Sequence, residues 1–185
     1  MTREIVARWQ SWDGDSLEHL VLRVGPDGAT ADSAILGTAD GDAFAARYHI
    51  ACDGEWRVRT VAIHVTGAAP TVELASDGDG RWRDGAGARL PELDGAVDID
   101  ISATPFTNTL PIRRLGLGRG AAREIAVAYV RLPALDLTIE RQRYTCLDDG
   151  RRYRFESLDG SFASEIEVDA DGLVTLYPGL FRRVR

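Results

Sequence analysis

The sequence predicts a predominantly antiparallel β protein that folds as one domain over residues 1–185. Asp-Gly pairs occur eleven times, and both residue types tolerate the positive backbone angles of tight hairpin turns. Several of these pairs lie 10 to 14 residues apart, which is the rhythm of alternating strands and turns. Between the turns, apolar and polar residues alternate with a period of two, as expected of strands with one buried face.

The alternation is clearest in four segments that we predict as strands: residues 57–65, 97–101, 162–168 and 173–177. Residues 121–130 contain enough alanine for a helix. However, Ile125, Val127 and Tyr129 alternate there with small residues, and this pattern favours a strand.

One short helix is predicted at residues 109–116. Thr109 is a good capping residue, Pro111 is tolerated in a first turn, and Gly116 suits the left-handed conformation that often ends a helix. No window of 15 residues shows a continuous apolar stripe at helical spacing. We therefore expect a mainly β fold with at most one or two short helices.

A weak internal repeat suggests that the domain consists of two similar halves, at about residues 40–102 and 136–182. Tyr48 and Cys52 precede one Asp-Gly turn and an arginine-rich strand, and Tyr144 and Cys146 precede another. A duplicated meander accounts for this spacing. The alternative is that any meander built on Asp-Gly turns resembles itself.

The charge balance is 22 basic against 29 acidic residues, a formal net charge of −7, and every basic residue is arginine. The lack of lysine excludes Schiff-base chemistry and a Walker-type lysine. An acidic chain is a poor candidate for non-specific nucleic-acid binding, so we expect no nucleic-acid partner.

The first ten residues are too charged for a signal core, and we find no transmembrane segment. We expect a cytoplasmic protein with reduced cysteines.

The residues that most often carry chemistry show no recognised catalytic or metal-binding pattern. His19, His49 and His64 lack the HxH and HExxH spacings, so we interpret them as structural or surface residues. Asp98 and Asp100 share one face of a predicted strand, about 7 Å apart, which superficially suits a glycosidase. A face paired to arginine or exposed to solvent is the other interpretation. We predict no catalytic residue, no metal and no cofactor.

One block stands out near the middle of the chain: TPFTNTLPIRRL at residues 104–115, preceded by LDG at 93–95 and DID at 98–100. In this block the chain resembles a bacterial family labelled "putative glycolipid-binding". Weaker matches at Trp82 and Tyr144 extend the resemblance over most of the chain. The resemblance implies two antiparallel sheets that form a half-open barrel, similar to carriers of lipids and lipoproteins.

The block has a functional and a structural interpretation. In the first, Arg113 and Arg114 form a cation pair at the mouth of a cavity, because arginine matches phosphate or carboxylate. Polar and aromatic side chains suited to a sugar headgroup would complete the ligand site: Thr104, Thr107, Asn108, Asp98, Asp100 and Tyr144. In the second, one arginine pairs with a strand aspartate, the other is solvated, and the threonine and asparagine side chains satisfy a buried irregular loop.

The resemblance implies a non-catalytic binding protein for an amphiphilic ligand such as a glycolipid or another lipid. Two alternatives stay open. The chain could be a structural or oligomerising module without a small ligand, with a homodimer as the expected assembly, or a hydrolase-type enzyme that uses Asp98 and Asp100. A connected apolar cavity favours the binding protein, and an exposed apolar patch with a large self-interface favours the module.

Overall fold

The structure, a computed structural model, describes residues 1–67 and 71–184, and these residues form one sheet of 14 strands. The first half of the chain contributes seven strands: β1 (Arg3–Ser11), β2 (Leu17–Gly25), β3 (Gly28–Ala39), β4 (Asp42–Asp53), β5 (Val58–Val65), β6 (Val72–Ser76) and β7 (Trp82–Asp84). The second half contributes one helix and seven strands: β8 (Ala96–Ile101), α1 (Thr109–Leu115), β9 (Ala122–Arg131), β10 (Asp136–Asp148), β11 (Arg152–Ser157), β12 (Ala163–Val168), β13 (Val174–Tyr177) and β14 (Phe181–Val184).

The two halves of the chain are joined through β1. This strand pairs with β2 on one side and with β14 on the other, so that Trp9 lies opposite both Glu18 and Arg183. The pairing merges two meanders into one ladder, whose ends at β7 and β8 are not paired with each other as strands. The predicted mainly β, half-open barrel is confirmed, but the structure has one sheet where the family resemblance implied two. The similarity of the two halves stays a prediction.

One pair of neighbouring strands in the described sheet is parallel rather than antiparallel. β8 runs parallel to β9, with Ile99 opposite Ala128. The chain between them crosses the interior of the half-barrel before it returns to the sheet, and such a crossover leaves two strands in the same direction. The parallel pair therefore follows from the position of the TPFTNTLPIRRL block.

Residues 104–115 fill the interior of the half-open barrel, and we call this segment the plug. It contains a 3-10 turn (Phe106–Asn108) that runs directly into α1. The predicted helix is confirmed, and Gly116 ends it in the left-handed conformation with φ of 53°.

Thr109 does not cap the helix, contrary to the prediction from sequence. The preceding residue, Asn108, already has helical backbone angles because the 3-10 turn leads into α1. The Thr109 hydroxyl instead donates to the Gly172 carbonyl at 2.9 Å. This bond ties the plug to the turn that precedes β13.

The plug packs against two hydrophobic clusters. The larger cluster contains the inward side chains of β1 to β9 together with Phe106 and Leu110 of the plug. The smaller cluster lies between β10 and β13 and includes Ile112. Because side chains of the plug are buried in both clusters, the plug connects the cores of the two halves.

Four turns share one construction, and each begins with an aspartate: Asp53, Asp77, Asp84 and Asp169. In each turn the carboxylate accepts hydrogen bonds from the backbone N–H groups two and four residues later. The fourth residue of each turn has a positive φ. Three of these residues are glycine, but the fourth is Trp56, at φ of 63°, a conformation that is strained for a bulky side chain.

The two ends of the sheet are linked by two hydrogen bonds. The Trp82 indole donates to the Ala96 carbonyl at 2.7 Å, and the Gly95 N–H donates to the Gly80 carbonyl at 2.9 Å. A side-chain carbon at Gly80 would lie 3.0 Å from the Gly95 backbone. The approach of β7 to β8 therefore depends on glycine at this position.

We expect Gly80→Ala to lower the free energy of unfolding by roughly 1–3 kcal/mol more than Gly41→Ala. Both glycines have φ of 88°, so both variants carry the same backbone strain. An added methyl group at Gly41 would have no atom of the described chain within 4 Å. Urea denaturation of the two variants measures the difference, and equal losses would contradict a close contact between the sheet ends.

Candidate functional site

The residues that the sequence assigned to a ligand site lie in the plug and on the strands around it. Asp98 is fully buried, and its two oxygens accept hydrogen bonds from Arg114 at 3.1 and 2.5 Å. The Arg114 side chain is itself only 17% exposed. This bidentate geometry is the one in which arginine binds carboxylates most strongly, and it anchors α1 to β8.

Asp100, two residues further along β8, connects the plug to β10. Its two oxygens accept hydrogen bonds from the Thr107 hydroxyl at 2.8 Å and the Gln142 amide at 2.7 Å. Asn108 accepts a hydrogen bond from the Tyr144 hydroxyl at 2.8 Å. Six of the eight side chains that the sequence grouped as ligand-binding therefore satisfy one another inside the fold, as the pairs Asp98–Arg114, Asp100–Thr107 and Asn108–Tyr144.

A second branch of this network contains a carboxyl group that sequence reasoning missed. The Thr104 hydroxyl lies 3.3 Å from the Tyr48 hydroxyl, and Tyr48 and Ser33 donate to one oxygen of Glu18 at 2.6 and 2.7 Å. Glu18 is 3% exposed, and its other oxygen has no hydrogen-bond partner within the described residues. The alternation of β2 predicts that Glu18 is buried, because it places Glu18 on the same inward face as Leu20.

Burial raises the pKa of several of these acids. It raises the pKa of Asp98, opposed by the hydrogen bonds and positive charge of Arg114, and it raises the pKa of Asp100, opposed by its two hydrogen bonds. Burial also raises the pKa of Glu18 to about 7, against the hydrogen bonds that the carboxyl receives. Glu18 lacks a cation partner comparable to Arg114, so desolvation dominates its protonation.

Arg113 is the one predicted site residue that lies at the surface. Its guanidinium carbon is 5.0 Å from the centroid of the Trp56 ring, a cation–π contact. One arginine of the pair thus binds Asp98 and the other is exposed, which is the arrangement of the structural interpretation. Direct ligand binding by the eight residues stays a prediction.

We expect Arg114→Met to lower the free energy of unfolding by about 3–5 kcal/mol, because it leaves the buried Asp98 carboxylate without its cation. Arg113→Met is the matched control. It removes the same charge from the neighbouring surface position and should cost about 1 kcal/mol or less. Chemical denaturation at pH 7 measures both values. Equal losses would mean that the buried pair does not hold the plug.

We expect the free energy of unfolding of Glu18→Gln, relative to that of the wild type, to increase as the pH rises. A carboxyl group whose pKa is raised on folding stabilises the native state at low pH, and this contribution declines from about pH 4.5 to about pH 7. The difference in unfolding free energy between the variant and the wild type should therefore shift by about 2–3 kcal/mol between pH 5 and pH 8. The same difference at both pH values would contradict a neutral, buried Glu18.

A cavity of about 650 Å³ lies on the outer face of the sheet, across strands β2 to β6. We call it the groove. Its floor contains three small or apolar side chains, Val21, Ala34 and Ala62. Polar side chains of five strands or their connections surround this floor: His19, Asp32, Arg47, His49, His64, Thr71 and Glu73. The groove is therefore an apolar surface enclosed by donors and acceptors.

All three histidines of the chain line the groove. His49 Nδ1 lies 2.8 Å from Asp32, and His19 Nδ1 accepts a hydrogen bond from Arg8 at 3.1 Å. The sequence predicts that the three histidines are structural or surface residues, and the structure places them at the surface of one shared cavity. Strand alternation predicts that each points outward, but only the register between strands brings them together.

Four basic side chains lie in one line across β1 to β5, and we call this line the basic row: Arg8, His19, Arg47 and His64, with Ala34 at its centre. Adjacent to it on the same face lies an apolar row, Leu17, Leu36 and Ala45. The side chains of Leu17 and Leu36 are 46% and 62% exposed. A second cavity, of about 420 Å³, spans both rows.

Neither a metal centre nor a membrane-spanning helix is found in the part of the chain that the structure describes. Residues 1–67 and 71–184 contain no group of three or more histidine, cysteine, aspartate or glutamate side chains that could hold a metal ion. None of their helices combines the length and hydrophobicity needed to cross a bilayer.

The fold and the groove define a class of protein: a half-open, mainly β barrel with a filled interior and a candidate binding surface on its outer face. A family model described as "Putative glycolipid-binding" matches residues 6–183, and the chain belongs to this family. The crystal structure of a DUF1089 family protein from Pseudomonas aeruginosa is similar to it, with 41% sequence identity, a TM-score of 0.84 and 92% of each chain covered. A comparison with curated proteins gave no match.

Proposed function

We propose that the protein binds one molecule of an amphiphilic ligand, such as a glycolipid or another lipid, in the groove and without catalysing a reaction. The observation that carries this proposal is the groove itself. Its volume of about 650 Å³ lies within the range of roughly 300–1,000 Å³ that small-molecule sites occupy. The description of the family supports an amphiphile as the ligand.

The two kinds of side chain in the groove match the two parts of an amphiphile. Ala34 and Ala62 leave a flat apolar floor on which an alkyl chain or the apolar face of a sugar ring can lie. Asp32, His49 and Glu73 offer acceptors and donors for hydroxyl groups at the rim. An apolar floor that is bordered by convergent polar groups is a common composition of a ligand site.

The interior is a less favourable location for the ligand. Phe106 and Leu110 of the plug are buried among the core side chains, so a ligand that entered there would have to displace them. Displacement of the plug would also separate Asp98 from Arg114, and breaking a buried pair costs several kcal/mol. The proposal therefore moves the ligand from the predicted cavity mouth at Arg113 and Arg114 to the outer face of the sheet.

A cytoplasmic location is part of the proposal. Cys52 and Cys146 are both buried and free. Burial, with a further contribution from the charge of Asp98, raises the pKa of Cys52 to about 12, so the thiol is unreactive at neutral pH. Two unpaired cysteines suit a reducing compartment.

Filling the groove with a large side chain tests the proposal. We expect Ala62→Trp to weaken binding of monomeric dodecyl maltoside at least tenfold, because the indole covers the apolar floor. Ala163→Trp is the control, since it adds the same bulk at an exposed position of β12 in the other half of the sheet. Isothermal titration calorimetry below the critical micelle concentration measures both affinities. Equal affinities for wild type and Ala62→Trp would contradict a site in the groove.

A homodimer is the second candidate, because the apolar row exposes Leu17 and Leu36 to solvent, and exposed apolar patches often mark self-interfaces. Light scattering of the wild type and of Leu36→Asp separates the two functions. A dimer that Leu36→Asp converts to a monomer, together with no amphiphile binding by the wild type, would favour the oligomerising module.

A further inference from the structure

We propose that the basic row selects amphiphiles with an anionic headgroup, a phosphate or a carboxylate, which binds over Ala34 between Arg47 and His19. This inference rests on the proposed function and names the ligand class of the same groove. The chain as a whole is acidic, with a net charge of −7. The basic row nevertheless contains four basic residues and no acidic one.

The side chain at the centre of the basic row is too small to fill its position. Ala34 lies opposite His19 on one neighbouring strand and opposite Arg47 on the other. Strands are spaced by about 4.8 Å, so His19 and Arg47 are separated by about 10 Å across Ala34. This leaves a gap with basic side chains on both sides, which a tetrahedral or planar anion can enter.

The hydrogen-bond donors beside this gap are available for a ligand. Arg47 lines the groove, and its side chain makes no hydrogen bond or ion pair within residues 1–67 and 71–184. His19 accepts from Arg8 through Nδ1, so the proton of its neutral ring is on Nε2, which can donate. His64 follows Arg47 in the row and adds a third donor. Arginine beside imidazole donors is a strong combination for phosphate or carboxylate oxygens.

The apolar row explains why the anion would carry a hydrocarbon chain. Leu17 and Leu36 lie one row from His19 and Ala34 on the same face, because outward side chains repeat every two residues along a strand. The two cavities of this face share Ala34, Arg47 and His64. An anionic headgroup at Ala34 would therefore place its chain either along the groove floor or over exposed leucine side chains.

Calorimetry with monomeric dodecyl phosphate, dodecyl maltoside, dodecyltrimethylammonium and inorganic phosphate tests the inference. We expect dodecyl phosphate to bind at least tenfold more tightly than dodecyl maltoside, and the cationic detergent and inorganic phosphate to bind more weakly than either. Arg47→Gln should weaken dodecyl phosphate about tenfold or more, the usual effect of losing a charge-assisted hydrogen bond. It should weaken the binding of dodecyl maltoside much less than that of dodecyl phosphate, because the maltoside headgroup carries no charge.

Arg154→Gln is the matched control, because it removes the same charge from an exposed strand position of β11, in the other half of the sheet. If both variants weaken the binding of dodecyl phosphate equally, the preference for an anion comes from the overall charge of the protein and not from the basic row. This result would overturn the inference. Equal affinity for the phosphate and maltoside detergents would overturn it while leaving the groove as an amphiphile site. Tight binding of inorganic phosphate alone would reassign the row to a free anion, and no binding of any detergent would contradict the proposed function itself.

Discussion

The plug brings polar side chains into the interior, and the need to satisfy each of them there is the constraint on which the rest of the structure depends. A buried charge is tolerated only when it is paired and hydrogen-bonded, and Asp98 meets this requirement only through Arg114. Tyr48 and Tyr144, one from each half of the chain, reach the plug with their hydroxyl groups. The plug therefore holds the two halves together.

Local features of the fold could be predicted from sequence because their causes are local. Alternation identified β9 although its alanines favoured a helix, and Gly116 ends α1 as expected. The long-range features could not be predicted in this way. Pairing of β1 with β14 and the parallel pairing of β8 with β9 depend on where the chain returns to the sheet. Neither strand pattern nor turn residues carry that information, and the two sheets that the family resemblance implied are one sheet in the structure.

In the candidate site, too, local features could be predicted from the sequence and long-range features could not. The specific TPFTNTLPIRRL block drew attention to Asp98, Arg114 and Tyr144, and the structure does bring them together, with the contacts of a structural network. The groove was missed because its histidines come from three different strands, and only register makes His19 and His64 members of one row. Residues that are far apart in sequence and unremarkable one by one can become a site through cross-strand alignment.

Binding of an amphiphile in the groove is tested most directly by locating the bound molecule with NMR. Amide chemical shifts of the isotope-labelled protein would be recorded during a titration with monomeric dodecyl phosphate. We expect the largest changes at Ala34, Arg47 and Ala62, on neighbouring strands of the outer face. Changes concentrated instead at Asn108 and Arg113, with the groove unaffected, would contradict binding in the groove and would place the ligand at the plug.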